Sequence, residues 1–77
     1  MSKLTKAQRE TLKHCPDWSA PFEIMYRRRE ATGEVVSPYG LRTTLGRLRN
    51  LGMVEYGPPN DTYRITLEGR TALGEQP

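Results

Sequence analysis

The sequence predicts a mainly α, α+β fold: a three-helix bundle with a two-stranded β-hairpin and a short C-terminal helix. Three observations carry this. Three stretches place apolar residues at helical spacing behind a hydroxyl residue able to cap a helix, at Thr5, Ser19 and Ser37. Residues 53–56 and 62–66 alternate like strands around a Gly-Pro-Pro-Asn-Asp turn. Finally, 77 residues support one small core and leave little room for a deep substrate pocket. A single domain over 1–77 is therefore expected, ordered from residue 4 to about residue 73.

The elements follow in order. Residues 1–3 should fray. Thr5 caps helix 1, with Gln8 completing a capping box. Helix 1 should run to His14, with Leu4, Ala7, Thr11 and Cys15 on its inner face, Leu12 at the edge, and Lys6, Arg9 and Lys13 outside. Pro16 stops it, and Trp18 in the following loop is expected as a core lid between helices 1 and 2. Ser19 caps helix 2, expected over 20–31, with Pro21 tolerated in its first turn. Phe22, Met25 and Tyr26 form its apolar face, and Arg29 packs its stem on the same side. Gly33 ends that helix, 34–36 is an extended connector, and Ser37-Pro38 starts helix 3, which ends at Gly52. In the second strand Tyr63 and Ile65 share one face and Arg64 the other, and Tyr56 and Tyr63 pack within the hairpin. Thr66 caps a last helix over 67–73, and a tail follows.

Helix 3 has two contrasting sides. Leu41, Leu45, Leu48 and Leu51 form an apolar stripe, and the other side carries Tyr39, Arg42, Thr43, Gly46, Arg47 and Asn50. Residues 35–54 hold three Arg and no acid, although the whole chain has twelve Lys and Arg against nine Asp and Glu, a net +3. A basic stripe on a nearly balanced protein suggests a polyanion docked on one face. An ordinary solvated face would pair its cations with acids one turn away. Gly46 weakens the helix by about 1 kcal/mol relative to Ala and removes bulk where another surface must come close.

Arg42 and Arg47 are expected to touch base edges or phosphates, since an Arg can pair bidentately with guanine. Tyr39, Thr43 and Asn50 can read a base or bind a phosphate. Ser37, Tyr39 and Gly40 sit at the helix start, where amide N–H groups suit a phosphate oxygen. Arg49 lies on the flank. Of Arg27, Arg28 and Arg29, which spread around a helical turn, Arg28 or Arg27 is expected to reach a phosphate and Arg29 to be structural. Arg64 can point from the hairpin to a phosphate or the minor groove.

The order helix, helix, helix, hairpin, short helix resembles the winged helix-turn-helix of MarR-, PadR- and ArsR-type bacterial or phage regulators. LGRLRNLGMVEY, residues 45–56, is similar to their recognition-helix exit, and YRITLEGRTAL, residues 63–73, to their wing exit. The resemblance spans 22–73 and rests mainly on structural Leu and Gly. It implies a recognition helix in the major groove and a wing beside it. The chain departs from these regulators in three ways: no long flanking helices for a dimer, no Lys or Arg at the wing tip, and a longer connector at 33–37.

Other function classes find little support. One histidine, His14, and one cysteine, Cys15, leave no histidine-based metal cluster and no internal disulfide. Adjacent in a helix, the two point about 100° apart and cannot act as a catalytic pair. No nucleophile elbow, Walker motif or dinucleotide fingerprint occurs. A non-enzymatic cytoplasmic protein without cofactor, metal, membrane anchor or small-molecule substrate is expected. Its expected partner is double-stranded DNA, in transcriptional regulation or as a phage or mobile-element factor. A homodimer or cooperative neighbours on DNA would add base contacts, and the end helices could supply the dimer contact. The alternative is a protein-interaction adaptor module in a larger assembly.

Overall fold

The computed structural model describes residues 4–58 and 60–74. The expected frayed start at 1–3, Pro59 in the turn and the tail at 75–77 lie outside the described residues. Four helices and one two-stranded antiparallel sheet follow in the order α1 (Lys6–Lys13), α2 (Pro21–Thr32), α3 (Pro38–Asn50), β1 (Val54–Gly57), β2 (Thr62–Ile65) and α4 (Leu67–Ala72). This is a mainly helical α+β arrangement. Among the described residues no helix is long and apolar enough to cross a membrane.

Local capping chemistry sets most boundaries. Thr5 and Gln8 close the reciprocal capping box at 3.1 and 3.0 Å. The Ser37 hydroxyl accepts from the Gly40 amide at 3.0 Å, and Thr66 accepts from Gly69 at 3.1 Å. Gly33 and Gly52 end α2 and α3 in the left-handed region, at φ 76° and 77°. At α2 the expected cap moves by one residue. Ala20 takes the cap position, its amide held by the Glu23 carboxylate at 2.8 Å.

Ser19 instead extends the sheet. It forms an isolated antiparallel bridge to Tyr63, with N–H···O distances of 2.9 and 2.8 Å in the two directions. The Ile65 amide reaches the Cys15 carbonyl at 2.9 Å, so the α1–α2 loop is bonded along β2. Within the hairpin Val54 faces Ile65, Glu55 faces Arg64 and Tyr56 faces Tyr63, whose rings lie 5.2 Å apart.

The core gathers Leu12 and Cys15 of α1 and its exit, Ile24 of α2, Leu41, Leu45 and Leu48 of α3, and Met53, Val54, Tyr63 and Ile65 of the hairpin. α4 closes one end. A Cβ on Gly69 would run into the Met53 carbonyl oxygen and the Ile65 side chain, so only glycine allows that approach.

Four expectations about packing are corrected. Leu12 is fully buried while Ala7 is exposed, which turns α1 by part of a helical step. Leu51 is exposed because it follows the last helical residue and lies past the edge of the Leu41–Leu45–Leu48 arc. Trp18 is exposed and packs on the hairpin beside Gly57 instead of between α1 and α2. Most consequentially, Phe22 and Tyr26 of the expected apolar face of α2 point outward, while Met25 is half-buried against the edge of the core; Pro21, Ile24 and Arg28 are the helix's buried residues. Apolar side chains stand on both sides of this helix, so periodicity alone does not choose the inner one.

Candidate nucleic-acid interface

α3 projects two different surfaces around its buried leucines. At about 100° per residue, Tyr39, Thr43, Gly46, Arg47 and Asn50 lie on the arc opposite Leu41, Leu45 and Leu48. Tyr39, Thr43, Arg47 and Asn50 are exposed, and a Cβ added at Gly46 would meet nothing within 4 Å. No acid lies on this arc. Arg47 has no ion-pair, hydrogen-bond or ring partner for its guanidinium among the described residues.

The flank toward the hairpin differs. Arg42 and Arg49, seven residues apart, share it, and the hairpin engages both. Arg42 Nη2 lies 2.9 Å from Asp61 Oδ2, and the Arg49 guanidinium stacks 4.8 Å from the centre of the Tyr56 ring. The acid missing from the helix is thus supplied by the turn, 19 residues away in sequence. Asp61 adopts a left-handed backbone at φ 53°, a conformation that Asp and Asn tolerate better than most residues. Sequence spacing alone gave no signal for this pair beyond an acid in a turn.

The helix start is already satisfied in part. The Gly40 amide bonds to Ser37, so neither that N–H nor the Ser37 hydroxyl lone pair it uses is available to a phosphate in this arrangement. The Thr43 hydroxyl donates to the Tyr39 carbonyl at 3.0 Å and keeps acceptor capacity on the outward arc.

The arginine run of α2 is arranged contrary to expectation. Arg28 is only 4% exposed, with Nη1 3.4 Å from Thr11 Oγ1 and Nη2 4.0 Å from Glu34 Oε1. Its Nε has no hydrogen-bond partner. Arg27 donates to the His14 carbonyl at 2.9 Å and to Ser19 Oγ at 2.7 Å. Both therefore tie α2 to α1 and the loop after it, so neither presents its head to a ligand. Arg29, expected to be structural, is the exposed member and has no side-chain partner among the described residues. Arg64 is held at the hairpin, 3.1 Å from Glu55 Oε2 and 4.5 Å over the Trp18 ring.

The remaining reactive groups are quiet. Burial pushes the Cys15 thiol up to about 11, and its sulfur lies 3.7 Å from the Leu12 carbonyl. Burial also raises the Tyr63 phenol. Among the described residues no group of three or more His, Cys, Asp or Glu could hold a metal ion. No family model, curated protein or solved structure matches the chain.

Proposed function

We propose that this chain is a winged helix-turn-helix protein that binds double-stranded DNA without catalysing a reaction, acting as a transcriptional regulator or a phage or mobile-element factor. In this reading α3 enters the major groove through Tyr39, Thr43, Gly46, Arg47 and Asn50. α1 and α2 brace it, and the hairpin lies beside the flanking backbone. The observation that carries the reading is the outward arc of α3. It is exposed and acid-free, with a cation lacking any partner among the described residues and a glycine open to space.

The Arg42–Asp61 pair does not oppose it. Both side chains are substantially exposed, and an exposed ion pair contributes about 0–1 kcal/mol. A bidentate Arg–guanine contact discriminates by about 1–3 kcal/mol, so DNA can take Arg42 from Asp61. One copy offers few base contacts, and paired copies on adjoining half-sites would supply more.

The test is fluorescence anisotropy with a random-sequence duplex at low and moderate salt. Wild type should bind with an affinity that falls by about 0.9 in log K per log salt for each phosphate neutralised. Arg42→Ala/Arg47→Ala should weaken binding and flatten that slope. Gly46→Glu should keep the fold, which circular dichroism reads, and abolish binding. Salt-insensitive or absent binding by wild type, or equal binding by the double variant, rejects the proposal.

A further inference from the structure

Phe22 and Tyr26, two of the three side chains of the α2 face that reads as core in the sequence, are turned to solvent. Phe22 is 72% exposed, Tyr26 63% and Val35, in the adjoining connector, 84%. With the half-buried Met25 they line one shallow groove bordered by Arg29 and Glu34. Aromatic side chains offer about 150–250 Å² each, so these residues leave roughly 400 Å² of apolar surface. A patch of about 300–600 Å² is the largest expected on a typical monomer and is often functional.

We propose that this face binds a second copy of the same chain, with the two α2 helices packed antiparallel about a twofold axis near Tyr26. The face is complementary to itself. Phe22 and Arg29 stand seven residues apart, two helical turns, and so lie on one stripe. Reversing a second helix against it sets Arg29 of each copy over the Phe22 ring of the other. A cation over an aromatic face is favourable by about 0.5–2 kcal/mol, and Arg29 has no side-chain partner of its own among the described residues. A purely acidic or purely apolar partner would match only part of the stripe. A twofold interface matches all of it, since each copy supplies both halves.

The area sets the strength. Covering the patch on both copies buries roughly 800 Å², below the 1,200 Å² or so at which stable interfaces begin. The pair is therefore weak in free solution. It would strengthen where two copies are held side by side, as on adjoining DNA sites, because effective concentration rises. The surface stands independently of DNA binding and can be tested without it.

The experiment is analytical ultracentrifugation of the whole chain without DNA, from about 10 μM to about 1 mM, a range spanning the dissociation constants of weak pairs. Wild type should shift from monomer toward dimer across it. Phe22→Ser/Tyr26→Ser should remain monomeric with an unchanged melting temperature, and Arg29→Glu should weaken association several-fold. A wild type that stays monomeric throughout overturns the proposal. So does association that survives the double substitution, which would point to the end helices instead.

Discussion

Helices α2 and α3 are neighbours of twelve and thirteen residues, and each carries several large apolar side chains at helical spacing. α3 buries its stripe and shows a polar arc. α2 shows Phe22 and Tyr26 and buries Ile24 beside an arginine. The difference lies in what each helix offers on its other side. Opposite its leucines α3 has hydroxyls, amides, glycine and cations, so only one orientation removes apolar area from water. α2 is apolar on both sides. Its inner side is then fixed by groups on other elements: the Thr11 hydroxyl and, as an ion pair at 4.0 Å, the Glu34 carboxylate for Arg28, and the His14 carbonyl and Ser19 hydroxyl for Arg27. A guanidinium can be taken inside only where such groups meet it.

The sharpest way to break this comparison is to remove the anchor. Arg28→Ala should cost about 3 kcal/mol of stability. The loss comes from the packing of a side chain only 4% exposed and from its hydrogen bond to Thr11, while the half-exposed Glu34 keeps Lys6 3.8 Å away. Arg28→Met, which keeps the stem volume and buries no charge, should recover most of the loss. On the opposite side of the same helix, Phe22→Ser should move stability by no more than about 0.5 kcal/mol. Urea denaturation of the three variants reads all of this. Equal midpoints for Arg28→Ala and Phe22→Ser would show that the inner face of α2 is not held by its arginine.

These contrasts track what the sequence made legible. The caps at Thr5, Ser37 and Thr66, the glycine stops and the hairpin were readable because each is chemistry between residues a few positions apart. The buried leucines of α3 were readable because a single amphipathic period has one solution. The Ser19–Tyr63 bridge, the Arg42–Asp61 pair and the orientation of α2 join residues far apart in sequence. Nothing in local spacing encodes them. The same gap explains Leu51, which keeps the stripe's residue type but follows the last turn of α3.

A smaller effect sharpens the comparison between the two sides of α3. If the hairpin restrains Arg42 while Arg47 stands free of side-chain partners among the described residues, Asp61→Asn should raise affinity for a random duplex about two- to fivefold. That corresponds to less than 1 kcal/mol, as for an exposed pair. Asn accepts the left-handed backbone at this position, so the turn should persist. The gain should shrink in an Arg42→Ala background, since the two substitutions act on one contact. An equal gain in both backgrounds would mean that only removal of a negative charge near DNA matters.

The smallest effect expected comes from His14, beside the inward side of α2. Partial burial lowers its pKa below the ordinary 6.5. Arg28, Lys13 and Arg27 push the same way, and Glu10, with Oε1 3.7 Å from Nε2, opposes them. The unfolded chain therefore takes up this proton at higher pH than the folded one does. Between the two pKa values the unfolded state binds more protons, and stability falls as the pH falls. The contribution is complete above pH 6.5 and is lost as the pH drops through the lower, folded-state value. Urea midpoints measured from about pH 7.5 down to about pH 5.5, before the carboxylates titrate, should decline gently for wild type and less for His14→Gln. In Arg28→Met the decline should also be shallower, because one of the cations that disfavours protonation is gone. A slope unchanged in both variants would separate His14 from the guanidiniums that α2 turns inward.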